Sequence, residues 1–130
     1  MADAVTSTVI SDGNRNYKIK LTNISDGTGE SAVTKVDISA LLMNTGLAPS
    51  YFAVKSIEYD VQAFSSVVLY FDATTDDVLA VLTGQGFFDY DGAFFNDPQS
   101  TGTTGDIKLT TNGASSGATY DITLSLIKKQ

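Results

Sequence analysis

The stretch IKLTTNGASSGATYDITLSLIKK, residues 107–129, decides the fold class. Ile107, Leu109 and Thr111 take alternate positions, and Asn112-Gly113 and Ser115-Ser116-Gly117 follow as turn signals. Beyond them Tyr120, Ile122, Leu124 and Leu126 alternate with Asp121, Thr123 and Ser125. A period of two sends one set of side chains to a buried face and the other to water, as in a half-buried β-strand. The segment therefore predicts two strands joined as a hairpin.

The same alternation recurs upstream. Tyr17, Ile19, Leu21 and Asn23 alternate with Lys18, Lys20 and Thr22, after the turn residues Asp12-Gly13-Asn14. Ile57, Tyr59 and Val61 alternate with Ser56, Glu58 and Asp60 within residues 53–62. Residues 31–39 form a further strand, with Val36 and Ile38 on one side and Lys35 and Asp37 on the other. The run Val67-Val68-Leu69-Tyr70-Phe71 is continuously apolar and suits a central strand covered on both faces. Residues 76–82 read either as a strand or as a short helix, because Asp76-Asp77 before Val78-Leu79 resembles a helix start. Leu41 to Gly46 reads as a helical turn or a loop.

About eight short strands with Gly-rich turns predict an all-β domain, an antiparallel β-sandwich or a jelly-roll-like barrel with little helix. The composition agrees: Thr, Ser, Gly and β-branched residues dominate, and only two Glu occur in 130 residues. One domain over 13–130 is expected, with residues 1–12 as an N-terminal arm or an edge strand. That segment carries few large apolar residues, Val5, Val9 and Ile10, and reads as a strand able to add to a neighbour.

Charge and missing residue types narrow the chemistry. A formal charge of −7 argues against a nucleic-acid surface. The basic groups, Arg15, Lys18 and Lys20 with Lys128-Lys129, read as solvated strand faces or ends. No apolar run approaches the ~20 residues of a membrane-spanning helix. The start Met1-Ala2-Asp3-Ala4 lacks the basic and apolar regions of a signal peptide. With no His and no Cys, the usual bases, nucleophiles and soft metal ligands are missing, and no Gly-x-Ser-x-Gly elbow occurs. No catalytic residue is assigned. Glu58 and Asp60 share a strand face in the manner of a carboxylate pair, but the expected role is a solvated face.

Two acidic loops have the hard oxygen donors that calcium takes, Asp72 to Asp77 and Asp89 to Gly92 with Asn96-Asp97. Neither has EF-hand spacing, so turn capping is expected and no metal or cofactor site is assigned. The densest apolar segment is Phe87-Phe88-Asp89-Tyr90-Asp91-Gly92-Ala93-Phe94-Phe95. Alternation puts Phe88 and Tyr90 on one face and Phe87 on the other, and Asp89 to Gly92 is expected to reverse the chain so that Phe94 or Phe95 packs back. Phe87, Phe88, Tyr90, Phe94 and Phe95 are the candidate interface residues, one group sealing the core and the other meeting a partner.

Two stretches carry a resemblance. ISDGTGESAVTKVDISAL, residues 24–41, and GDIKLTTNG, residues 105–113, continuing through Tyr120 to Lys128, resemble small virion structural proteins of tailed bacteriophages, most of all head decoration or cement proteins. The resemblance implies a non-enzymatic domain made in the host bacterial cytoplasm and bound to the capsid surface. It implies the major capsid protein and copies of the chain itself, as a homotrimer, as partners, with neither nucleic acid nor membrane. A tail or neck component and a carbohydrate-binding β-sandwich are the alternatives, the latter requiring exposed aromatics on one flat face.

Overall fold

In a computed structural model of the chain, residues 4–13, 16–27, 29–38, 41, 49–90, 95–113 and 115–129 are described. They form ten strands: β1 (Ala4–Asp12), β2 (Asn16–Asp26), β3 (Val33–Val36), β4 (Tyr51–Gln62), β5 (Ser66–Phe71), β6 (Asp77–Leu82), β7 (Gly84–Asp89), β8 (Phe95–Asn96), β9 (Ile107–Asn112) and β10 (Ser116–Lys129). The larger sheet has the order β1-β2-β10-β4-β7, with β8 also paired to β4. The smaller has the order β3-β9-β5-β6. The two antiparallel sheets pack face to face, so the protein is a sandwich rather than a closed barrel.

The core lies between them. From the larger sheet come Ile19, Leu21, Phe52, Ile57, Tyr120, Ile122 and Leu124, and from the smaller Val67, Leu69, Phe71, Ile107 and Leu109, all buried. Burying each such side chain is worth roughly 1.5–3 kcal/mol, which makes the paired inner faces the main source of stability.

The expected hairpin at 107–126 is not formed. β9 pairs with β3 and β5, whereas β10 pairs with β2 and β4 in the opposite sheet. The Asn112-Gly113 turn therefore carries the chain from one sheet to the other. Gly113, at a φ of 69°, sits against Ser65 so closely that a Cβ would collide with it. Residues 76–82 are a strand rather than a helix, and strand pairing at residues 31–39 is limited to Val33–Val36. Residues 42–48, the segment read as a helical turn or a loop, lie outside the described residues apart from Leu41.

Two lysine side chains are buried, Lys35 and Lys128, and the second departs from the solvated strand end expected for it. The Lys35 side chain is 4% exposed and pairs with Glu30, whose other carboxylate oxygen accepts hydrogen bonds from Asn23 Nδ2 (2.8 Å) and the Tyr120 hydroxyl (2.6 Å). Thr111 holds this corner, because its hydroxyl accepts the Glu30 amide and its amide donates to the Glu30 carbonyl. Lys128 is also buried: it pairs with Asp12, donates to the Gly13 carbonyl at 2.7 Å and sits over the Tyr17 ring. A buried ammonium is tolerated only with such partners.

Candidate functional site

The aromatic segment divides along β7. Phe88 stands opposite Ile57, on the core side, and Phe87 stands opposite Glu58, on the outer face. A chain of ring contacts runs from Tyr59 to Phe88 (5.4 Å between centroids), Tyr90 (6.3 Å), Phe95 (5.6 Å) and Phe71 (5.8 Å). This ladder closes the β4–β7 side of the core. Gly86 makes room for it, because a Cβ there would strike the Tyr59 ring. Burial pushes the Tyr90 hydroxyl above its usual range.

β7 and β8 both run antiparallel to β4, along Ser56–Val61 and Ala53–Val54. They are successive pieces of one edge, and the chain does not double back as expected between them. Phe94 lies outside the described residues. Of the candidate interface residues, Phe88, Tyr90 and Phe95 pack against the core, and Phe87 projects outward at 58% exposure.

Around Phe87 the outer face of the larger sheet is polar. Lys18, Ser56, Glu58, Thr123 and Ser125 surround it. Beside them a shallow hollow of about 270 Å³ is lined by Lys20, Glu58, Asp60, Gln85 and Asp121, among others. Lys20 pairs with Asp121 at 3.3 Å, and Asp60 accepts from Gln62 Nε2 at 2.7 Å. Charges of both signs and open solvent make this an ordinary solvated face for Glu58 and Asp60.

β1 is different. It is an edge strand held by β2, with Val5 opposite Asn23 and Val9 opposite Ile19. Those positions point to the side on which Ile19 and Leu21 are buried, yet Val5 and Val9 are 38% and 50% exposed. The smaller sheet has four strands against a path of five, and among the described residues only β2 packs extensively on β1. Ile10, at the bulge between Val9 and Ser11, is exposed as well. From Val5 to Ser11 the strand bears no charge, and among the described residues its outer edge is unpaired. Such an edge is a template for another strand.

The first acidic loop is occupied by a cation of the protein's own. Lys108 Nζ lies 2.7 Å from Asp72 and 3.5 Å from Asp76, and Thr104 donates to Asp72 at 2.6 Å. Hydrogen bonds from Lys108 and Thr104 hold the Asp72 carboxyl below its usual range, and Asp72 in turn raises Lys108. Asp76 accepts the Ala73 amide at 3.1 Å, a capping role of the kind expected. Asp106 receives the Ile38 amide at 2.9 Å, while burial pushes its carboxyl up.

Sequence reasoning missed the buried pairs of Lys35 and Lys128. A strand pattern records which face a residue leaves from, not whether a long side chain folds back to a carboxylate supplied by a distant segment. Compared with protein-family models, curated proteins and solved structures, the chain matches none.

Proposed function

We propose that this chain is a non-enzymatic structural protein of a tailed-phage virion, a capsid decoration protein that binds the assembled head and stabilises it. The observation that carries the proposal is β1: an edge strand without charge from Val5 to Ser11, with no partner among the described residues on its outer edge and with valines that its own core does not cover. Strand addition to such an edge supplies affinity through main-chain hydrogen bonds, and the valines supply apolar area. The resemblance of residues 24–41 and 105–113 to virion proteins names the partners, the major capsid protein and copies of the chain itself arranged as a trimer. A protein that binds only the assembled shell stabilises it by mass action, without chemistry. The sequence has no His or Cys to support the common catalytic arrangements, which agrees with such a role.

The carbohydrate-binding alternative draws less support. Sugar stacking calls for several exposed rings on one flat face, and among the described aromatics Phe87 alone is exposed. The test is to mix the purified protein with tailed-phage heads lacking it and to locate it by cryo-electron microscopy. Density at symmetric positions on the head lattice is expected. Density on tail or neck alone, or no binding to particles together with binding to a glycan array, overturns the proposal.

A further inference from the structure

Val5-Thr6-Ser7-Thr8-Val9 reads the same in both directions. The palindrome lies in β1, at the end of the larger sheet, where the outer edge has no partner among the described residues. Antiparallel strands run in opposite directions. Two copies of this segment, laid edge to edge about a two-fold axis perpendicular to the sheet at Ser7, therefore put like opposite like: Val5 meets Val9, Thr6 meets Thr8, and Ser7 meets Ser7. β6, the edge of the smaller sheet, reads Val-Leu-Ala-Val-Leu over 78–82 and lacks this symmetry.

The faces agree with the order. Val5, Ser7 and Val9 stand opposite Asn23, Leu21 and Ile19 and share the inner side, whereas Thr6 and Thr8 share the outer side, where the hydroxyls of Thr6 and Thr22 bond to each other. The joint brings two valine pairs together on the inner side, with Cβ atoms about 4.5–5.5 Å apart. Ile10 then falls opposite Ala4, whose neighbour on β2 is Ile24. Val5, Val9, Ile10 and Ile24 are four of the eight large apolar residues exposed among the described residues, so uncovered apolar surface gathers at the edge that is also unpaired. Charge permits the meeting. The chain carries −7, yet nothing from Val5 to Ser11 is charged. Because Thr22 pairs with Thr6 and Lys20 with Thr8, each Lys20 faces Thr22 of the second copy across the joint, and no like charges oppose.

We propose that two copies of the chain join β1 to β1, antiparallel about a two-fold axis at Ser7, and that this dimer keeps the edge covered in the free protein. The joint rests on the strand alone. That it parts to give the edge to a phage head rests on the function proposed above. About seven residues a side take part, against ~20–30 in a standard interface, so the dimer is weak, half-formed on the order of 10–100 μM.

The test is sedimentation equilibrium of the full chain from about 5 to about 500 μM. A monomer–dimer equilibrium is expected. Ser7→Lys and Ser7→Glu each set like charges face to face at the axis, and each should raise the dissociation constant at least about tenfold, because like charges directly opposite destabilise a strand pair. An equal mixture of the two should dimerise again, since only a two-fold at this residue makes position 7 meet itself. Ser7→Cys gives an independent reading in a chain without cysteine. Copper–phenanthroline should oxidise its two thiols to an intermolecular disulfide. Thr6→Cys should not link, because its counterpart lies diagonally about 7–8 Å away, beyond the reach of a disulfide. A parent that stays monomeric throughout overturns the joint, as does a dimer indifferent to Ser7→Lys, a mixture no tighter than its parts, or Ser7→Cys that links no faster than Thr6→Cys. A monomeric parent that still binds phage heads removes the joint and leaves the proposed function, whereas a dimer joined at Ser7 that binds no head does the reverse.

Discussion

Strand β10 has hydrogen-bonded neighbours on both sides, β2 and β4, along most of its fourteen residues, and Ala118, Tyr120, Ile122, Leu124 and Leu126 are buried beneath it. Strand β1, two places away in the same sheet, has one neighbour among the described residues, and its described side chains are exposed on both faces. Both strands are rich in β-branched or apolar residues, so propensity does not separate them. Position does: β10 lies over the second sheet and β1 extends past it. A strand in the first position specifies the fold, and one in the second is available to something else. Substitutions in the two places should therefore have unequal effects.

The largest effect belongs to the centre of β10. Leu124→Ala leaves a cavity under the middle of the larger sheet and is expected to cost about 2–5 kcal/mol in urea unfolding. Next is the buried pair beside β10. Lys35→Met leaves the Glu30 carboxylate with only Asn23 and Tyr120 as donors, and about 2–3 kcal/mol should be lost. Adding Glu30→Gln to that variant should restore part of the loss, since removing both charges removes the uncompensated one. On β7 the two faces separate in the same way. Phe88→Ala should lower stability by about 2 kcal/mol, whereas Phe87→Ala stays within about 0.5 kcal/mol of the parent.

A smaller effect depends on pH. Burial raises the folded-state carboxyl of Asp106 above its unfolded value, so the ionised form costs stability above that folded pKa, and the cost disappears as pH falls through it. Asp106→Asn keeps an acceptor for the Ile38 amide without the charge. It should melt higher than the parent at pH 7, with the difference closing in acid. Thermal scans from pH 7 to pH 4 check the sign, and a difference that widens toward acid contradicts it.

The sandwich was legible because its strands repeat one simple code. Ile19, Leu21, Ile57, Ile122 and Leu124 alternate with polar residues, and all five are buried in the core. Topology was not legible at residues 112–117, where an Asn-Gly turn serves equally well to join paired strands or to cross between sheets. The choice rests on β9 finding β3 and β5, segments far away in sequence. The same limit applies to the acids. Asp72 and Asp77 sit five positions apart in one loop, yet Lys108 neutralises the first and nothing among the described residues neutralises the second. Alternation did separate Phe87 from Phe88, because their opposite faces follow from the pleat alone. Lys128 continues the alternation of Tyr120, Ile122, Leu124 and Leu126 onto the buried face, and its burial was not legible because Asp12 and Gly13, which hold its charge there, come from the far end of the sequence.

Strand β1 carries the smallest expected effect on stability and the largest on assembly. Deleting residues 2–7 removes the exposed valine Val5 and half the free edge, and leaves the Asp12–Lys128 pair and the core in place. The most direct measurement compares this deletion with the parent in two readouts, thermal melting and co-sedimentation with tailed-phage heads. A melting temperature within about 3 °C of the parent, together with loss of head binding, is the expected result. A fall of about 10 °C, or head binding that survives the deletion unchanged, would mean that β1 serves its own domain and that the partner surface lies elsewhere.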